Sequence, residues 1–151
     1  MQITGTFLDE ITHDIPALNW DEDDWDREFA LMRRVGIDKA IMIRCGHKNW
    51  VAYPSVVLQR RGNAIMPSED LVAMFMKLSR RHEIKFFFGT YYSGNDWLGA
   101  SYDVESESRL MCDMCTEAWE KYFVGNPAFG GWYLSQEINV AASFNVVECY
   151  K

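Results

Sequence analysis

The feature that most limits the fold of this chain is the alternation of continuous apolar runs with amphipathic segments. Four apolar runs predict strands at Ile3–Leu8, Ala40–Ile43, Ile84–Gly89 and Gly131–Leu134. Runs such as IKFFFG show little of the polar alternation expected of a strand with one solvated face. Strands without that alternation are typical of parallel sheets, in which both faces are covered. The sequence therefore predicts a parallel sheet.

The segments between the strands have helical periodicity. We predict helices over about Asp21–Val35, from near Ser68 to His82 and over about Glu105–Phe123, and the start of a fourth over Ser143–Tyr150. The first of them begins with four acidic residues and ends with two arginines followed by Gly36. This charge order matches the helix dipole, and the glycine is a typical stop signal.

The order β-α-β-α-β-α-β indicates an α/β fold with parallel strands. Two architectures compete, a doubly wound open sheet and part of a TIM (β/α)8 barrel. No glycine-rich nucleotide motif follows the first strand, and we predict no cofactor. Loops after the strands (45–67 and 91–103) are long, whereas the return loops are short, which favours a barrel with its site on the carboxyl face. We expect one domain over residues 1–151, holding the first four βα units (about half a barrel) and truncated within the fourth helix.

Composition excludes several classes of partner. The 151 residues are 48% apolar and 25% charged, which is ordinary for a globular domain. The net charge is −7, and no basic cluster exceeds an arginine pair, so neither nucleic acid nor an anionic membrane surface is expected. No run approaches the roughly 18 apolar residues of a membrane span. No signal peptide is visible, which leaves localisation open, including an extracytoplasmic one if a leader has been removed.

Cysteine and histidine give little sign of a metal centre. Cys112 and Cys115 have the spacing of a zinc half-site, but they lie in a helical pattern and lack a complementary pair. His13 and His47 lie in different loops without closely spaced partners. We therefore predict no metal site.

Each predicted strand runs into polar or aromatic side chains at its carboxyl end. In a barrel these ends converge around one axis, so the side chains would share a pocket. The candidate site residues are Asp9 and Glu10 after the first strand, Arg44, His47 and Trp50 after the second, Tyr91 and Trp97 after the third, and Gln136 and Glu137 after the fourth.

Three stretches, GTFLDEITHDIPALNWDEDDWDREFALMRRVGIDKAIMIRCG, DLVAMFMKLSRRHEIKFFFGTYYSGNDW and AFGGWYLSQEI, carry a resemblance over nearly the whole chain. The chain resembles a glycoside-hydrolase-like TIM-barrel domain family of unknown function. That family is similar to the large glycosidase clan whose acid/base glutamate ends the fourth strand, which implies this role for Glu137. Gln136 stands where the clan usually has asparagine, and Arg44 matches the arginine that ends its second strand.

The residue types fit glycoside hydrolysis. A retaining glycosidase uses one carboxylic acid to protonate the departing oxygen and a second carboxylate, about 5–5.5 Å away, as nucleophile. The resemblance implies a nucleophile on the seventh strand, beyond this chain. In strand geometry the side chains of Asp9 and Glu10 point to opposite faces, so one of them faces the axis and could bind sugar hydroxyls. Arg44 could hold a hydroxyl or a carboxylate with its forked donors.

Several alternatives stay open on the sequence alone. Glu137 could instead hydrogen-bond substrate or pair with Arg44, and Arg44 could form a structural ion pair. The whole domain could be a carbohydrate-binding barrel without catalysis, or a barrel enzyme of lyase or isomerase type. Half a barrel would also leave strand edges and apolar faces uncovered, which favours self-association. The leading prediction is a glycoside hydrolase domain with a polysaccharide or glycan substrate.

Overall fold

A computed structural model of the chain describes residues 2–12, 15–95 and 102–136, and the predicted alternation of strands and helices is present within them. The predicted start of a helix at 143–150 lies outside the described residues. The elements are β1 (Gly5–Leu8), α1 (Glu22–Arg34), β2 (Lys39–Met42), β3 (Gly46–His47), β4 (Trp50–Val51), α2 (Val56–Gln59), α3 (Leu71–Arg81), β5 (Lys85–Gly89), α4 (Val104–Ala118) and β6 (Phe129–Tyr133), with a 3-10 turn at Pro16–Asn19 and a π-helical turn at Trp119–Phe123.

The four predicted strands form one parallel sheet in the order β1-β2-β5-β6. Strands that follow one another through a long helix are neighbours, and the order does not reverse among the described strands. β3 and β4 form a separate antiparallel hairpin after β2, which the sequence did not predict. The carboxyl ends of the four parallel strands consequently share one edge, which we call the carboxyl edge.

Side-chain caps fix where the helices begin. Asp21 and Asp24 form a capping box at the start of α1, with each side chain accepting a hydrogen bond from the other residue's backbone N–H. α3 begins at Leu71, later than the predicted start near Ser68, because the Asp70 carboxylate accepts a hydrogen bond from the backbone N–H of Ala73 at 3.0 Å. None of the helices in the described part of the chain is both long and apolar enough to cross a membrane.

One face of the sheet is covered by helices. Ala40, Met42, Phe86 and Phe88 are fully buried on this face. The Phe86 ring packs on a phenylalanine of α3 at 6.0 Å between centroids, and the Phe88 ring lies 5.3 Å from Phe123 at the end of the α4 segment. We call this the helix side of the sheet, and it contains most of the apolar core.

The other face is strongly curved and open. The rings of Phe7 on β1 and Tyr133 on β6 are 5.1 Å apart between centroids, although these are the two edge strands. In a flat sheet those strands would lie about 14 Å apart, at three spacings of about 4.8 Å. The Phe87 ring lies on Gly130, where a Cβ atom would come within 2.7 Å of the ring. Phe7 is 53% exposed, so this concave face has an apolar surface that the described residues do not cover.

Candidate active site

Asp9 and Arg44 meet at the carboxyl edge. Arg44 Nη2 lies 3.3 Å from Asp9 Oδ2 and 3.3 Å from Thr12 Oγ1. Thr12 in turn donates its hydroxyl to the Asp9 carboxylate at 2.6 Å and its backbone N–H to Asp9 Oδ1 at 3.2 Å. The turn after β1 therefore fixes Asp9 against the end of β2. Both charged side chains keep part of their surface exposed, so a ligand hydroxyl could reach them.

Glu10 differs sharply from its neighbour. Its side chain is 1% exposed, and neither carboxyl oxygen has a hydrogen-bond partner. Burial raises the pKa of Glu10 well above its ordinary value; the negative charge of Asp9 adds to this, while the positive charge of Arg44 opposes it. The Nε atom of Arg44 is also buried without a partner. Glu10 is thus held toward its neutral acid form beside an arginine whose donors are incompletely used.

Ser135 ties three strand ends together. Its hydroxyl lies 2.8 Å from the carbonyl oxygen of Ile43 and 2.6 Å from that of Thr90. The backbone N–H of Ser135 also donates to Thr90 Oγ1 at 3.0 Å. These bonds connect the residues that follow β2, β5 and β6, and they hold in place the backbone that leads to Gln136.

Gln136 lies immediately before the candidate acid/base residue. It is buried, and its Nε2 atom donates to the Tyr91 carbonyl at 3.3 Å. Its contact with the Met111 sulfur at 3.8 Å places this side chain against α4. Glu137 and Trp97 lie outside the described residues.

The remaining described candidates lie on the hairpin β3–β4 and in the segment after β5 that packs on it. The ring of His47 stacks on that of Tyr92, with centroids 5.3 Å apart and planes 10° apart. Tyr91 is buried, burial raises the pKa of its phenol, and its hydroxyl donates to the Lys48 carbonyl at 2.6 Å. Trp50 is 45% exposed on the outer part of the hairpin. His47 and Trp50 are cross-strand partners, so the hairpin presents both rings near the carboxyl edge.

The structure therefore divides the described candidates into two groups. Asp9, Glu10 and Arg44 form one cluster at the ends of β1 and β2. A second group, formed by His47, Trp50, Tyr91 and Gln136, surrounds the hairpin and the segment after β5.

Sequence reasoning missed three residues that organise this edge. Thr12, Thr90 and Ser135 hold the strand ends through their hydroxyl groups. The available signal was their position, because each follows a predicted strand within a few residues. A hydroxyl residue in a loop is too common for that position alone to identify its partners.

Two further observations concern the rest of the surface. Within residues 2–12, 15–95 and 102–136 there is no group of three or more metal-binding side chains arranged to hold an ion. A groove of about 1080 Å³ lies between α2 and α4, and none of the candidate residues lines it. The carboxyl edge is the better candidate for the active site, because ligands of parallel α/β folds bind at that end of the strands.

Two comparisons relate the chain to known proteins, one to a family of unknown function and one to a putative glycosidase. A family model described as a domain of unknown function (DUF4434) matches residues 3–150. A solved structure of a putative alpha-L-fucosidase from Bacteroides thetaiotaomicron is 46% identical to this chain, with a TM-score of 0.81. That match covers 91% of this chain and 42% of the solved one, so the chain spans less than half of that protein. No curated protein matches.

Proposed function

Because the chain belongs to the DUF4434 family of domains of unknown function and is similar to the structure of a putative alpha-L-fucosidase, we propose that it is part of a barrel that hydrolyses O-glycosidic bonds of a polysaccharide or glycan. The observation that carries this proposal is the convergence at the carboxyl edge of Asp9, Glu10 and Arg44 with the anchored backbone before Glu137. The whole protein's substrate is part of the proposal.

The shape of the sheet supports the barrel. A strand order without reversal places successive crossover helices on one side, as in (β/α)8 barrels, whereas a doubly wound sheet reverses its order. The contact of Phe7 with Tyr133 across the concave face requires strong curvature. The open apolar surface on that face is the surface that the later strands of a complete barrel would cover. We propose that the chain supplies the first four βα units of such a barrel.

Glu137 is the proposed general acid/base. In the first step its carboxyl proton goes to the departing glycosidic oxygen, and in the second its carboxylate takes a proton from the attacking water. Ser135 and Gln136 are proposed positioning residues, since they fix the backbone directly before it. The nucleophilic carboxylate would come from a later strand of the barrel, outside this chain.

The remaining candidates are proposed to hold the sugar. Asp9 and Arg44 keep exposed surface and present an acceptor and a forked donor side by side, which suits sugar hydroxyls. Burial raises the pKa of the neighbouring Glu10, and its protonated form could donate a hydrogen bond. His47, Trp50, Tyr91 and Trp97 are proposed to line the rim, with the exposed ring of Trp50 packing on the C–H face of a sugar.

The test uses the full-length protein and aryl glycosides, including an aryl α-L-fucoside, with leaving groups of different acidity. We expect Glu137→Gln to lower kcat/KM by about 10²- to 10⁴-fold for poor leaving groups, which need protonation. The loss should be much smaller for dinitrophenyl glycosides, because their leaving groups depart without an acid. Glu83→Gln changes an exposed carboxylate just before β5, at the amino end of the strands, and is the control that should keep full activity.

Two results would overturn the proposal in different ways. Full activity of Glu137→Gln on poor leaving groups would remove this residue from the acid/base role. Sugar binding without any turnover, unchanged in Glu137→Gln, would instead establish a carbohydrate-binding barrel without catalysis.

A further inference from the structure

A second concavity lies beside the hairpin and has an unusual charge. It has a volume of about 220 Å³ and lies between the hairpin tip, the end of α2 and the segment after β5. Its polar side chains are Lys48, Asn49, Arg61, Asn63, Ser93 and Asn95. No carboxylate belongs to this lining among the described residues, although the chain has a net charge of −7. We call it the amide pocket.

Lys48 is held in place by three contacts. Its backbone N–H donates to the Tyr92 carbonyl at 2.9 Å, and its own carbonyl accepts the Tyr91 hydroxyl at 2.6 Å. Its alkyl stem packs on Gly94, where a Cβ atom would come within 2.6 Å of Lys48 Cγ. Lys48 also has φ +54°, a left-handed conformation that glycine or asparagine adopts more readily than lysine. If only the backbone conformation mattered here, glycine or asparagine would suit the turn better. The presence of lysine therefore indicates a role for its side chain.

The opposite wall of the pocket is anchored to the helix layer. The Asn95 amide nitrogen donates to the carboxylate of Glu107, which is almost fully buried on α4. This bond uses the amide nitrogen of Asn95 and not its side-chain oxygen, which is an acceptor. The pocket therefore combines two cations with neutral amides that can either donate or accept.

We propose that the amide pocket is a subsite for a sugar residue carrying an anionic group, either a carboxylate or a sulfate ester. Lys48 and Arg61 would bind the anionic oxygens through charge-assisted hydrogen bonds. The asparagine amides would bind the ring hydroxyls, and the exposed ring of Trp50, adjacent to Asn49, offers an apolar platform on the same hairpin. The inference rests on the proposed glycan substrate, since this hairpin follows Arg44 and lies at the same edge of the sheet.

Calorimetric titration of the full-length protein with glucuronic acid, glucose 6-sulfate and glucose tests this inference. We expect the two anionic sugars to bind at least about tenfold more tightly than glucose, with affinity falling as salt is added. Lys48→Gln and Arg61→Gln should each weaken anionic sugars about tenfold and leave glucose binding unchanged. Arg60→Gln removes the same charge from the neighbouring residue, which does not line the amide pocket, and should have no effect.

Comparison of the sugars also distinguishes a carboxylate from a sulfate ester as the anionic group. Preference for glucuronic acid indicates a uronic acid residue, and preference for glucose 6-sulfate indicates a sulfate ester. Equal affinity for all three sugars, or equal losses in Arg60→Gln and Arg61→Gln, would overturn the subsite. Inorganic sulfate binding as tightly as the sulfated sugar would reduce the pocket to a simple anion site and also overturn it. If the protein hydrolyses aryl glycosides but does not prefer anionic sugars, the subsite is wrong and the proposed activity stands. If it prefers anionic sugars but hydrolyses no aryl glycoside, the activity is wrong and the subsite stands.

Discussion

Two carboxyl groups in this fold differ in their hydrogen bonding: that of Glu117, on the helix side of the sheet, has several partners, whereas that of Glu10, at the carboxyl edge, has none. The carboxylate of Glu117 on α4 accepts four hydrogen bonds at 2.6 to 3.2 Å, two from the loop before α2 and two from the first turn of α2. The carboxyl group of Glu10 is buried with no hydrogen bond to its oxygens, next to an unpaired Nε of Arg44. Unsatisfied buried groups cost stability, so a fold keeps them mainly where a ligand, a proton or a water will use them. The contrast separates a carboxylate that maintains the fold from a carboxyl group that is available for chemistry.

The largest expected effect separates the two faces of the sheet. Phe88→Ala on the helix side should lower the free energy of unfolding by about 3–5 kcal/mol, because the fully buried ring leaves a cavity. Phe7→Ala on the concave face should cost below about 1 kcal/mol in the 151-residue chain, because that ring is half exposed. Urea denaturation followed by circular dichroism measures both values.

Equal costs for the two substitutions would contradict the assignment of an open concave face. The face would then be covered in solution, and light scattering of the same samples would show whether a second copy of the chain covers it. A dimeric mass with a costly Phe7→Ala would support the predicted self-association.

Glu117→Gln tests the hydrogen-bonded carboxylate on α4 and should have the next largest effect on stability. The amide retains one acceptor oxygen and turns its NH₂ group toward donors, so we expect a loss of about 1–3 kcal/mol of stability. Glu120→Gln, at an exposed position three residues further along, is the control and should change stability by less than about 0.5 kcal/mol. A loss in Glu117→Gln no larger than that of the control would mean that the loop before α2 is held by its apolar contacts instead.

The sequence predicted the elements of the fold far better than the details of the candidate site. Continuous apolar runs and charged helix ends are local signals, and they located the four sheet strands to within a few residues. The β3–β4 hairpin was missed because two-residue strands have no periodicity to detect. The different environments of Asp9 and Glu10 depend on the turn at Thr12 and on the burial of one side chain. Neither feature can be read from the identities of two adjacent acidic residues. Ser135 joins residues 45 and 92 positions away, a relation that only the folded sheet creates.

Glu10→Gln tests the carboxyl group that has no hydrogen-bond partner, through the pH dependence of stability. Near pH 4 the carboxyl is largely protonated in both states, so the variant and the wild type should be about equally stable. As the pH rises, the unfolded chain ionises Glu10 while the folded protein resists ionisation, so the wild type loses stability until its raised folded pKa is passed. The variant lacks this loss and should therefore be the more stable protein at pH 7 to 8. Urea denaturation at several pH values between 4 and 8 measures the difference, and a variant less stable than wild type throughout would show that the native fold uses the ionised form.

The smallest effect on stability should come from Asp9→Asn, which also tests how the charges next to Glu10 set its pKa. Asp9 and Arg44 form a partly exposed ion pair, so stability should change by less than about 1 kcal/mol. The substitution should nevertheless move the titration of Glu10 to lower pH, because it removes a negative neighbour and leaves Arg44 in place. Arg44→Gln should move it to higher pH, and carbon-13 shifts of the Glu10 carboxyl measure both. Because the two neighbours act on Glu10 in opposite directions, shifts of the same sign in the two variants would mean that the strand ends rearrange when the pair is broken.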